Sequence, residues 1–186
     1  MSKDLIASRI VGGNTAYSRN ANDYYPTPPE ATIALLNFLD LDKDTVIWEC
    51  ACGEGHMARA IGKKGYEVIS TDIINGDDYL VIDTPQNVDW IITNPPFSLA
   101  SEFIIKSLQR GLPFAFLLKH QFWNAKSRYA LFYGHPPTYI LPLTWRPDFM
   151  FKTRGKGSPL LDVMWCVWIP GETKTLFRPL AKPKEE

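Results

Sequence analysis

At 186 residues, with 45% hydrophobic and 22% charged residues, the chain has the composition of a globular protein with one buried core, and it is too short for two ordinary domains. A formal net charge of +0 sets it apart from uniformly basic nucleic-acid binders. No apolar run is long enough to span a bilayer, and the polar start Met1-Ser2-Lys3-Asp4 lacks the pattern of a secretion signal, so we expect a cytoplasmic protein with no membrane partner.

Residues 1–23 mix small and polar types without a sustained period and predict a loose N-terminal arm ahead of a single domain over 24–180. In Tyr24-Tyr25-Pro26-Thr27-Pro28 the threonine can cap a helix that Pro28 opens, and Ile33, Leu35, Leu36 and Leu39 carry that helix to about Asp40. Thr45–Glu49 reads as a buried strand, closed by Cys50-Ala51-Cys52-Gly53-Glu54-Gly55. A helix follows from about His56 to Lys64, with Gly65 as its stop. Tyr66–Thr71 is a second strand with Asp72 at its end, and a short strand over Tyr79–Ile82 is possible. Asp89–Thr93 is the next strand and leads into Asn94-Pro95-Pro96-Phe97.

Ser98–Arg110 reads as an amphipathic helix, Phe114–Leu118 as a buried strand and Trp123–Tyr133 as helical. Tyr139–Leu141 and a last strand, Asp162–Ile169, complete the set. The segment 144–159 looks like a long basic loop, and 181–186 like a tail. Strand, glycine turn, helix, strand and acid, in that order, predict an α/β fold: a doubly wound, mostly parallel sheet that binds ligands at the carboxyl ends of its strands. The missing helix between the strands near Tyr139 and Val163 places an antiparallel pair at one edge.

Charge is segregated along the chain. Residues 40–89 hold eleven acids against four bases, and residues 119–156 hold seven bases against Asp148. The first region suits a cationic ligand and the second a polyanion.

Two motifs carry chemistry. Gly53-x-Gly55 alone is a weak signal, but here it follows a strand, opens a helix and precedes Asp72, which stands where an acid holds a ribose diol. With no third glycine, and with Glu54 inside the turn, it favours a nucleoside without phosphates. Asn94-Pro95-Pro96-Phe97 would present two acceptors and an aromatic face to an exocyclic amine on a planar ring; taken alone, it is equally well a turn. The cysteines Cys50, Cys52 and Cys166 are odd in number and lack CxxC spacing, which speaks against a disulfide framework and against a metal site.

Glu49–Gly55, Asp72 and Asn94–Phe97, preceded by Tyr25-Pro26-Thr27-Pro28, resemble the class I S-adenosylmethionine-dependent methyltransferases that act on the adenine N6 amine. The likeness is nearest to the small DNA adenine methyltransferases of phages and prophages, and it is sharp over residues 24–120. It implies a seven-stranded, Rossmann-like methyltransferase sheet, with S-adenosylmethionine as cofactor and DNA as partner. By the same resemblance Tyr25 and Thr27 lie near the methionine end of the cofactor. Glu49, Cys52, Gly53 and Gly55 would line methionine and ribose, Asp72 would bind the ribose hydroxyls, and Asp78 would reach the cofactor's adenine amine.

Asn94, Pro95, Pro96 and Phe97 would form the catalytic pocket, and the absence of a Pro-Cys pair disfavours the cytosine-C5 branch of the fold. A base flipped from a duplex could stack on Trp145 or Phe149, for which core packing is the competing role. Lys119, Lys126, Arg128, Arg146, Lys152, Arg154 and Lys156 are the phosphate-contact candidates. RNA adenine or a protein glutamine amide could replace DNA adenine as the acceptor, and a non-catalytic cofactor-binding or nucleic-acid-binding protein is the rival of a different class. Oligomeric state stays open.

Overall fold

The computed structural model describes residues 25–149, 159 and 161–184. The expected N-terminal arm, most of the 144–159 loop and the end of the tail lie outside them. Helix α1 (Pro29–Leu39) leads into β1 (Val46–Glu49), α2 (His56–Lys63), β2 (Glu67–Ser70) and β3 (Trp90–Thr93). Then follow α3 (Ala100–Arg110), β4 (Phe114–Lys119), α4 (Tyr129–Gly134), β5 (Tyr139–Pro142), β6 (Val163–Trp168) and β7 (Leu176–Phe177). The strands form one seven-stranded sheet in the order β2-β1-β3-β4-β6-β5-β7. All pairings are parallel except those of β6 with β4 and β5. The antiparallel strand thus belongs to the side where it was expected, with β5 and the short β7 lying outside it.

Strand periodicity explains why the sheet is buried on both faces. Phe114, Phe116 and Leu118 of β4 join Met164, Cys166 and Trp168 of β6 in one cluster. The intervening Ala115 and Leu117 join Val163, Trp165 and Val167 in the other. A side-chain period of two sends alternate residues to opposite layers, so these strands read as unbroken apolar runs. Phe116 and Leu117, both at 0% exposure, each contribute about 1.5–3 kcal/mol of hydrophobic stabilisation. Trp165 adds a buried polar anchor, its Nε1–H donating to the Ala31 carbonyl at 2.9 Å.

Four expectations need correction. Thr27 does not cap α1: the cap position is Pro28, whose side chain makes no capping bond, and the Thr27 hydroxyl is used elsewhere. Residues 79–82 are not a strand. Their backbone carbonyls are taken by a side chain, since the Arg110 guanidinium donates to the carbonyls of Tyr79 (2.8 Å) and Ile82 (2.7 Å). The seventh strand is β7, and β6 is therefore not the last. Helix Trp123–Tyr133 is broken into 3-10 turns at His120–Trp123 and Lys126–Arg128 before α4, because Ala125 is extended (φ −135°, ψ 124°).

Candidate active site

The carboxyl ends of β1, β2 and β3 border one cavity of about 450 Å³, a size typical of small-molecule sites. Its wall contains Tyr25, Thr27, Glu49, Cys52, Gly53, Asp72, Asp78, Asn94, Pro95, Pro96 and Phe97. The glycine turn and the Asn-Pro-Pro-Phe segment therefore share one space, as their positions at neighbouring strand ends require.

The glycine turn owes its shape to backbone conformation. Gly53 and Gly55 have φ of 49° and 76°, a region costly for residues with a Cβ, and Gly55 occupies the position before α2. The turn is tied to the end of β2: Cys52 N–H donates to the Thr71 carbonyl (3.1 Å), and Thr71 N–H donates to that of Glu49 (3.0 Å). Asp72 completes the tie, its carboxylate accepting from Gly53 N–H (2.7 Å) and Ile74 N–H (2.9 Å). At 7% exposure it keeps further lone pairs for a ligand. Asp78 Oδ1 caps its own loop by accepting from Leu80 N–H at 3.0 Å. Beneath that loop Tyr79 stacks on Phe103, with ring centroids 4.7 Å apart, and shares a 2.6 Å hydrogen bond with Ser107.

Glu49 is the electrostatic outlier. It is 3% exposed, and its Oε2 is buried with no hydrogen-bond partner. Desolvation pushes its pKa up to about 8 from an ordinary 4.5, with the Ala58 backbone N–H opposing the rise. Glu54, Asp72, Asp77 and Asp78 join Glu49 in the cavity wall, and among the described residues no lysine or arginine does. The donor set fits a compact cation better than a pyrophosphate. Burial also pushes the Cys52 thiol up to about 11, which keeps it protonated and poorly nucleophilic at neutral pH.

Asn94 has a defined orientation. Its Nδ2 donates to the Tyr25 carbonyl at 2.9 Å and to Thr27 Oγ1 at 3.0 Å. A carbonyl can only accept, so the nitrogen must face Tyr25. Oδ1 is thereby left as a buried acceptor with no partner. Thr27 and the backbone of Tyr25 thus position Asn94, a role that helix-capping logic hid. Beside it the Phe97 ring lies 5.3 Å from that of Tyr25 at 39°, and the Lys119 ammonium sits 4.1 Å from the Phe97 centroid.

Other expected substrate residues stand apart from the cavity wall. Phe149 is 5% exposed and meets Tyr25 edge-on at 6.2 Å, while Trp145 packs against the core cluster containing Phe149. Arg146 pairs with Asp162 through Nε–Oδ1 at 2.7 Å on an exposed surface. Lys152, Arg154 and Lys156 lie outside the described residues. Conversely, Ile73 and Ile74 border the cavity at 67% and 75% exposure, a role the sequence reading did not assign. Two large apolar residues directly after Asp72, in an otherwise polar loop, were the available signal.

No protein-family model matches the chain, and no curated protein sequence matches it. Solved structures do. A Listeria monocytogenes protein assigned to the class I S-adenosylmethionine-dependent methyltransferases superposes with a TM-score of 0.58 at 14% identity, over 95% of this chain and 72% of that one. The type IIG restriction endonuclease BpuSI gives 0.55 at 15% identity, over 92% of this chain and 28% of its own. A dimethyladenosine transferase from Plasmodium falciparum gives 0.52 at 15% identity, over 79% and 63%. These likenesses define the architecture: the chain has the Rossmann-like fold of the class I methyltransferases.

Proposed function

We propose that this chain transfers a methyl group from S-adenosylmethionine to the N6 amine of adenine in DNA. The observation that carries this reading is the clamp on Asn94, which leaves Oδ1 as a buried, unpartnered acceptor on a residue that lines the acidic cavity together with Phe97. Bound in the cavity, S-adenosylmethionine would supply an electrophilic methyl on a sulfonium. Glu49 Oε2 would meet its ammonium, Asp72 its ribose hydroxyls and Asp78 its adenine amine, with Cys52 and Gly53 closing the wall and Gly55, outside the wall, shaping the turn behind them.

The protein's part in the chemistry is position and polarisation. An adenine amine delocalises its lone pair into the ring and attacks poorly. Asn94 Oδ1 and the Pro95 carbonyl, accepting its two hydrogens, return density to nitrogen, and Pro96 fixes the turn that holds them. Phe97, its ring packed against Tyr25, borders one side of the base, and the excess proton leaves to water. Alignment and fixed dipoles suffice for such an in-line transfer.

Supporting a nucleic-acid acceptor are the basic residues Lys119, Lys126 and Arg128, at and after the carboxyl end of the central strand β4, and the described functions of two structural neighbours, restriction and dimethyladenosine transfer. The latter keeps RNA adenine as a second reading. A cytoplasmic enzyme of the small phage type is the form of this proposal closest to the sequence. Tritiated S-adenosylmethionine offered with DNA, RNA and protein acceptors tests it: label should enter DNA, and label confined to protein would overturn it.

A further inference from the structure

Beyond the base pocket, the surface after β4 carries a second arrangement of aromatic rings. Tyr129 and Tyr133, one helical turn apart on α4, stack on each other with centroids 5.6 Å apart at 21°, yet they are 68% and 79% exposed. They border a shallow groove with Trp123, Ala125, Lys126 and Phe132. The floor is anchored to the core. Trp123 packs on Phe132 at 4.2 Å and donates from Nε1 to Met164 Sδ at 3.1 Å. Phe132 meets the buried Phe122 edge-on at 5.6 Å, and the Arg128 guanidinium covers Phe122 at 4.1 Å.

Lys126 is the charged residue that borders the groove, with Arg128 lying on Phe122 beneath it, and the stretch of chain that carries the rings is basic. From residue 103 to residue 147 the sequence contains Lys106, Arg110, Lys119, Lys126, Arg128 and Arg146 and no aspartate or glutamate. Flat, exposed ring faces beside lysine match a ligand that is itself flat and anionic, and a nucleic-acid strand is such a ligand. The place in the fold is also informative. Lys119 ends β4 with its ammonium over Phe97, and the chain passes directly into the His120–Trp123 turn that starts the groove.

We propose that the Tyr129–Tyr133 stack, with Lys126, is a platform for unpaired nucleotides flanking the target base, two bases continuing the ring stack while Lys126 neutralises a phosphate. It rests on the nucleic-acid reading given above and adds a binding surface outside the catalytic pocket. Stacking is tolerant of base identity, so the platform grips the strand without selecting a sequence.

The test uses the full chain and fluorescein-labelled oligothymidylate, oligouridylate and an abasic oligomer of equal length, followed by anisotropy; none offers a target adenine. Wild type should bind the thymidine oligomer at least about tenfold more tightly than the abasic one, given the usual strength of base–aromatic stacking. Replacing both tyrosines (Tyr129→Ala with Tyr133→Ala) should remove that difference, while the paired Phe variant keeps it. Lys126→Gln should weaken all oligomers alike and lower the salt-dependence slope by about one. The uridine arm reports whether the platform also accepts RNA.

Unchanged thymidine affinity in the Ala pair, or an equal loss in the Phe pair, overturns the platform. So does sedimentation showing a wild-type dimer that the Ala pair dissociates, since a second copy would then cover the groove. If wild type still methylates DNA in those cases, this inference alone falls. If wild type labels no nucleic acid at all, the functional reading falls with it.

Discussion

The acidic first half and the basic second half of the domain use charge in opposite ways. Glu49, Glu54, Asp72, Asp77 and Asp78 come from separate stretches of sequence and converge on one cavity wall, because each stands at or just beyond the carboxyl end of a parallel strand. The bases scatter. Arg110 is turned inward onto Tyr79, Ile82 and the Trp48 ring, Arg128 covers Phe122 and Arg146 is paired with Asp162. A run of like charge in sequence becomes a site only where topology brings its members to one place, and strand ends do so while loops need not.

That contrast can be broken most severely at Asn94. Asn94→Ala should lower kcat for methyl transfer by about 10²–10³-fold, the scale of losing one preorganised polar group at a reacting centre, with cofactor binding retained when followed by calorimetry. Asp72→Ala comes next: it removes the carboxylate we propose as the partner of the ribose hydroxyls and frees the Gly53 and Ile74 N–H groups. S-adenosylmethionine affinity should fall about 10–100-fold, as expected for one or two charge-assisted hydrogen bonds.

Glu49 sharpens the comparison through pH. Its carboxyl is protonated in the free protein below about pH 8 and must ionise to meet a cation. Affinity for S-adenosylmethionine should therefore rise as pH increases toward 8, by up to about tenfold per unit, with proton release seen by calorimetry in buffers of different ionisation enthalpy. Stability of the free protein runs the other way. The raised folded-state pKa gives a contribution fully present below about pH 4.5 and lost as pH rises through about 8, and Glu49→Gln should flatten both profiles. The smallest effect belongs to Arg146→Ala, which should leave thermal stability unchanged and weaken DNA binding only slightly, since its guanidinium is already engaged by Asp162.

What the sequence disclosed follows the same division. Strands β1 to β6 were legible as apolar runs bounded by turn residues, and the cavity was legible because Gly53, Asp72 and Asn94 stand at or just past strand ends. The two-residue β7 carries no periodic signal. Residues 79–82 mimic a strand because Tyr79 and Leu80 are buried or half-buried for another reason, the packing of Tyr79 on Trp48 and Phe103. Thr27 satisfied every local rule for a helix cap, yet the tertiary contact with Asn94 decided its role. Phe149 and Trp145, aromatic and near basic residues, gave no sequence cue that separates a ring packed in the core from one facing a ligand.

The account depends on a flat amine being gripped by Asn94, and the most direct measurement is the N6-methyladenine content of plasmid DNA from cells lacking other adenine methyltransferases. Mass spectrometry of digested nucleosides should find the modified base with the wild-type chain and not with Asn94→Ala. Equal amounts with both, or none with a folded wild type that binds S-adenosylmethionine, would contradict it.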